Sequence, residues 1–158
     1  LENMLLAREH VKLCDFGLSG RIGQIRTGKP HGTTPYMAPD LLTADARVQH
    51  TLTAALDIWS FGIVLYAAIF ASIPWEEATE SDNEFVTFTS HSNLSTCEPW
   101  SVLHPNVREC ILLMLSVSPE KRPSAASVGV ALRGPWVEEP AAPSPLGSRP
   151  TSPSSLGT

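Results

Sequence analysis

The chain has no long basic run. Eleven lysines and arginines face sixteen aspartates and glutamates, for a formal net charge of −5. That balance argues against nucleic acid as the main partner. Cysteine is sparse too: Cys14, Cys97 and Cys110 make an odd set without metal-site spacing. Reduced thiols in the cytosol or nucleus are the natural reading, and a cytoplasmic location is the expectation. No secretory-signal pattern stands at the front, and Leu1 rather than Met comes first. Large apolar residues almost vanish from Glu138 on, where Pro140-Ala141-Ala142-Pro143 and further Ser, Pro and Gly run to Thr158. Such a segment cannot offset its ordering entropy, so a disordered Pro/Ser-rich tail is expected over 134–158. The rest is ordinary: 42% apolar residues, enough for one domain with a real core.

Two short apolar runs, Met4 to Ala7 and Val11 to Cys14, flank Arg8-Glu9-His10. They read as a hairpin of small strands. Ser19 to His31 is polar and holds Gly20, Gly23, Gly28 and Pro30, so it reads as an exposed loop. Pro39 to Thr43 suits a short helical turn. The segment from Ile58 to Ile73 has no charged residue. A membrane span would need about 20 apolar residues. Asp57 interrupts the run, Ser60 and Ser72 dilute it, and no basic flank follows. A buried core helix over Thr53 to Ser72 is therefore expected, with no membrane partner. Asp82 to His91 suits a short helix with Phe85 and Phe88 on one side. Pro105 to Val117 carries Val107, Cys110, Ile111, Met114 and Leu115 at helical spacing, with proline at a first helical position. Ala125 to Leu132 is a last helix, stopped by Gly134-Pro135. The architecture is thus mainly α, a helical bundle with one small β-hairpin.

Several motifs occur in order along this frame. Asp15-Phe16-Gly17 follows the second strand. Glu2-Asn3 precedes it. Gly32-Thr33-Thr34-Pro35-Tyr36-Met37-Ala38-Pro39-Asp40, Asp57-Ile58-Trp59-Ser60-Phe61-Gly62, Pro74-Trp75 and Pro119-Glu120-Lys121-Arg122-Pro123-Ser124 come after. Their order and spacing resemble the C-terminal lobe of a eukaryotic serine/threonine protein kinase over residues 1–133. The stretch from Ile73 to Ala78, with Asp82 to Phe88, resembles the Src-homology-3-domain-binding kinase family.

The resemblance implies transfer of the ATP γ-phosphate to a Ser or Thr hydroxyl of a protein substrate, with ATP and Mg²⁺ as cofactors. Asp15 would hold the metal bridging the phosphates, and Asn3 would offer its amide oxygen to a second metal. Phe16 and Gly17 complete that motif. The bland alternative makes Asp15 a turn residue. Thr33 matches the threonine that reaches the catalytic aspartate and lysine, and otherwise is a turn hydroxyl. Asp57 matches the aspartate that accepts backbone N–H bonds from the catalytic loop, and otherwise is a capping or solvated residue. Arg122 matches the arginine paired with the acid of the Ala-Pro-Glu motif. That acid is here Asp40, one methylene shorter, so the reach of the pair is the open point. Ser19, Thr27 and Thr34 are candidate phosphorylation sites.

Other parts of the family pattern find no counterpart. The one glycine cluster, Gly17-Leu18-Ser19-Gly20, lies after the metal motif rather than over the phosphates. The matching catalytic aspartate falls upstream of Leu1, and so does the matching lysine. A truncated domain without its N-lobe, inactive alone, is the expectation. The competing class is an interaction module. Pro140 to Pro143 and Pro150 to Pro153 are P-x-x-P steps of the kind read by Src-homology-3 domains. Ser144-Pro145 and Ser152-Pro153 suit proline-directed phosphorylation. A plain tail is the alternative to both.

Overall fold

The computed structural model describes residues 2–42, 49–91, 94 and 97–137. The first two strands, β1 (Met4–Ala7) and β2 (His10–Leu13), pair antiparallel with Met4 opposite Leu13 and Ala7 opposite His10. Arg8 takes the left-handed conformation that closes their two-residue turn. Both strands are largely exposed, Leu6 and Leu13 among their most open residues.

Residues 19–31 are not wholly loop. Here β3 (Ile25–Arg26) pairs antiparallel with β4 (His50–Thr51). Gly23 N–H donates to Leu52 O at 2.8 Å and Leu52 N–H to Gln24 O at 2.9 Å, extending the ladder. Two-residue strands carry no periodic signal, so the sequence alone shows no second sheet.

Helix α1 (Pro39–Leu42) is a single turn. Helix α2 (Ala54–Phe70) is the axis of the core. Leu56, Ile58, Trp59, Gly62, Ile63, Leu65 and Tyr66 are buried along it. Asp57, Phe61 and Ala68 form its outward stripe. It stops where Ala71 turns left-handed at φ 54° and donates its N–H to Ala67 O, a cap normally built with glycine. No helix among the described residues is long and apolar enough to cross a membrane.

Helix α3 (Asn83–Ser90) is capped by Asp82, which accepts from the Glu84 and Phe85 N–H groups at 2.9 and 3.0 Å. Its other carboxylate oxygen accepts from the N–H groups of Glu76 and Glu77. One side chain thus fastens the loop after α2 to the start of α3. Helix α4 (Pro105–Met114) begins on proline and packs on α2. The approach is close at Gly62, where an added Cβ would stand 2.8 Å from Leu115 Cδ2. Helix α5 (Ala125–Ala131) is capped by Ser124, whose hydroxyl accepts from Ser127 N–H, and buries Val128.

An aromatic chain joins these helices. Trp59 lies 5.7 Å from Trp75, Trp75 lies 5.0 Å from Phe88, and Trp100 lies 5.3 Å from Tyr66. Tilted and edge-on pairs at these separations add to area burial.

The packed chain runs past the boundary expected at 134. Val137 bridges Leu103, His104 N–H donates to Trp136 O at 3.0 Å, and Trp136 Nε1 donates to Leu132 O at 3.1 Å. Trp136 and Val137 supply apolar surface that the tail's average composition hides. The P-x-x-P steps and the tail serines lie outside the described residues, and so does Thr43 at the end of the expected turn.

Candidate active site

The hairpin positions the first two candidates. Cys14 N–H donates to Asn3 O at 2.9 Å, one step beyond the β1–β2 register. Residues twelve positions apart in sequence, Asn3 and Asp15, thereby come to the same end of one hairpin. Both side chains are exposed. Asp15 has φ 59°, the left-handed region, which aspartate tolerates better than most residues. Its Oδ1 accepts from Gly17 N–H at 3.1 Å. A Cβ on Gly17 would crowd that same oxygen at 3.1 Å. Phe16 is 67% exposed and makes no core contact.

The donor set suits magnesium. No group of three or more His, Cys, Asp or Glu side chains among the described residues gathers to hold a metal unaided. One carboxylate and one amide oxygen are what a Mg²⁺ ion takes when waters and substrate phosphates fill its other positions. Asp15 and Asn3 would hold it, and the ion would neutralise phosphate charge. Among the described residues, the candidates offer no cradle for the nucleotide beyond this end of the hairpin.

Thr33 precedes a turn of 3-10 helix at Thr34–Tyr36. Its carbonyl accepts from Tyr36 N–H at 3.1 Å, and its exposed hydroxyl makes no capping bond. The turn is pinned to the core from beneath, since Ser60 Oγ donates to Tyr36 O at 2.8 Å. Helix α2 thus sets the height of the Thr33 segment.

Asp57 is exposed on α2. It stands on the outward stripe of α2, beside the half-exposed Phe61, and its carboxylate makes no hydrogen bond among the described residues. The helical period explains this. Leu56, Ile58 and Trp59 claim the inward faces, so position 57 turns outward.

Asp40 does reach Arg122. Arg122 Nη2 donates to Asp40 Oδ1 at 2.5 Å, and the arginine side chain is wholly buried. Nε donates to Ser116 O at 2.9 Å and Nη1 to Ala55 O at 3.1 Å. The guanidinium carbon lies 5.0 Å over the Trp59 ring. One fork therefore ties α1, the start of α2 and the end of α4 together. Its planar geometry lets it serve several acceptors at once.

The protein kinase domain family matches residues 1–137. The chain belongs to that family. Serine/threonine-protein kinase chk1 of Schizosaccharomyces pombe is 30% identical over 141 residues, covering 86% of this chain and 27% of that protein. Serine/threonine-protein kinase SBK1 of Mus musculus is 31% identical over 133 residues, covering 80% and 32%. Serine/threonine-protein kinase CHK1 of Saccharomyces cerevisiae is 30% identical over 142 residues, covering 86% and 26%. The chain thus spans about a quarter to a third of the length of these relatives. The SBK1 match accords with the likeness read from Ile73 to Phe88. As a kinase-domain segment, the chain maps its helical core and hairpin inside the matched residues.

Sequence reading missed two features of this region. One is the Ser60–Tyr36 bond, which no motif signals. The other is the second hold of Asp82, on the Glu76 and Glu77 N–H groups, which its place before an apolar helical pattern does not signal.

Proposed function

We propose that this chain forms the magnesium-binding and peptide-side part of a serine/threonine kinase site, which passes the γ-phosphate of ATP to a protein hydroxyl. The observation that carries this reading is the meeting of Asn3 and Asp15 at one end of the hairpin, with Asp15 held in an uncommon backbone conformation. Such conformations gather at functional sites. Asp15 and Asn3 hold magnesium. Thr33 borders the acceptor peptide, on a turn fixed by Ser60. Asp57, exposed beside Phe61, accepts N–H groups from a segment that carries the catalytic aspartate. Asp40 and Arg122 keep the segment between the metal motif and α2 at its height.

Phosphoryl transfer rests on positioning and charge neutralisation. Residues 1–158 supply a metal side and a peptide side. Among the described residues, none is placed as a lysine on the nucleotide or as an acid or base at the attacking hydroxyl. A positioned acid or base contributes about 10²–10⁴ in rate. The chain by itself is therefore expected to bind magnesium–nucleotide weakly and to transfer no phosphate. Incubation of purified 1–158 with labelled ATP and a generic basic protein tests both parts. Magnesium-dependent nucleotide binding that is lost in Asp15→Ala supports the site. Phosphate transfer that disappears with the same substitution would overturn the claim of inactivity. Binding unaffected by Asp15→Ala would overturn the site itself.

A second role rests on Pro140 to Pro143 and Pro150 to Pro153, whose spacing favours the extended helix taken by Src-homology-3 domains. Capture by isolated domains, abolished when Pro140 and Pro143 become alanine, is its test.

A further inference from the structure

From Val48 to Val107 the sequence contains no lysine and no arginine. The same stretch carries seven carboxylates: Asp57, Glu76, Glu77, Glu80, Asp82, Glu84 and Glu98. This largely acidic field, with Arg108 at its edge donating to the Trp100 and Leu103 carbonyls, is not spread evenly over a smooth surface. A cavity of about 150 Å³ opens between the end of α2, the length of α3 and residues 97–100. Tyr66, Trp75, Phe88 and Trp100 give it aromatic walls, and Glu84 and Glu98 stand among them. Glu84 is exposed and has no ion pair among the described residues, while Glu98 accepts only from Ser101 Oγ at 2.8 Å. Trp75 is 3% exposed, and its indole Nε1 has no acceptor among the described residues.

Each element asks for a different part of one ligand. Aromatic faces attract a cation, and a guanidinium stacks on them more readily than the strongly hydrated ammonium of lysine. Two carboxylates supply the counter-charge. A cavity of this volume takes a group about the size of benzene. The chain's own tail is a poor occupant, since its sequence opens with Glu138-Glu139 and holds a single arginine, Arg149.

We propose that this cavity docks an arginine side chain presented by an extended segment of a protein partner. Its guanidinium lies between Glu84 and Glu98, against the aromatic walls. The site is separate from Asn3 and Asp15, so it stands or falls independently of phosphate transfer.

The probe is a fluorescein-labelled peptide of alternating glycine and arginine, about eight residues long, titrated into the 158-residue chain by fluorescence anisotropy. Saturable binding is expected, weakening as salt rises. The double variant E84Q/E98Q should bind at least about tenfold more weakly. The double variant E76Q/E80Q removes the same charge outside the cavity and should stay within about twofold. A lysine version of the peptide should bind several-fold more weakly than the arginine one. Unchanged tryptophan emission and melting midpoint establish that each variant folds. Equal weakening in both double variants would reduce the effect to diffuse attraction and overturn the proposal. Equal binding of lysine and arginine peptides, or no saturation, would do the same. Sedimentation showing self-association that E84Q/E98Q abolishes would make a second copy the occupant, also against the proposal.

Discussion

Arg122 offers a stability test whose size follows from its contacts. The side chain is fully buried and gives hydrogen bonds to one carboxylate and to the carbonyls of Ser116 and Ala55. Removing one partner of a buried ion pair costs about 3–5 kcal/mol, mostly because the other partner is left unpaired. Asp40 keeps 28% of its side-chain surface exposed and is partly rescued by water, which lowers the figure. The carbonyls of Ser116, Ala55 and, more weakly, Val117 lose charge-assisted donors, which raises it. Arg122→Met is therefore expected to lose about 4 kcal/mol, a large part of the roughly 5–15 kcal/mol that stabilises an ordinary domain. Arg122→Lys cannot reproduce the fork and should lose about 2–3 kcal/mol. Asp40→Asn should lose about 1.5–2 kcal/mol, since the carbonyls still hold the guanidinium. The double variant Asp40→Asn/Arg122→Met should fall short of the sum by about 1 kcal/mol or more. Urea unfolding followed by tryptophan emission reads all four, with Trp59 reporting directly because it lies under the guanidinium. A loss below about 1 kcal/mol for Arg122→Met, or strict additivity, would refute the reasoning.

Two further substitutions probe the frame around this pair. Partial burial pushes the Asp82 carboxyl upward, but N–H bonds from Phe85, Glu77, Glu76 and Glu84 outweigh it and hold the group below its ordinary value. A depressed folded pKa stabilises above the unfolded value, near pH 3.9, and the gain fades as pH falls through the folded one. Asp82→Ala should cost about 2 kcal/mol at neutral pH, the upper end for a cap, because the loop bonds go with it. Thermal melts of both forms should converge below about pH 4, and a gap unchanged down to pH 2 would count against this account. Gly62→Ala places a methyl 2.8 Å from Leu115 Cδ2 and 3.2 Å from Met114 Cβ, both in the packed core. Overpacking of about 1–3 kcal/mol should exceed the roughly 1 kcal/mol gained in helix propensity. A variant with a raised urea midpoint would show that Leu115 has room to move.

The helical frame was readable where a residue carries its reason locally. The uncharged run after Asp57 announces α2, Asp82 announces α3, and proline with helical spacing announces α4. The end of α2 was not readable, because Ala71 takes a conformation that its side chain disfavours. Nor was the β3–β4 pairing, where two strands of two residues meet across the 23 residues 27–49. Arg122 came only through family likeness. Nothing in Pro119 to Ser124 tells which of Lys121 and Arg122 turns inward, yet one is exposed and the other buried.

The candidate site divides along the same line. Asn3 and Asp15 are brought together by hairpin geometry within one short stretch, so the strand pattern places them, while their metal role comes from family likeness. An isolated hairpin is marginal in water, and this one leaves Leu5, Leu6, Val11 and Leu13 exposed. Its ligands are therefore well placed by local bonds and little supported by packing. Thr33 is the reverse case. Its turn has no strong local signal, but Ser60 and the Asp40–Arg122 pair anchor it to α2, the axis of the core. The metal side should therefore loosen first under mild denaturant, while the peptide side persists until α2 itself unfolds.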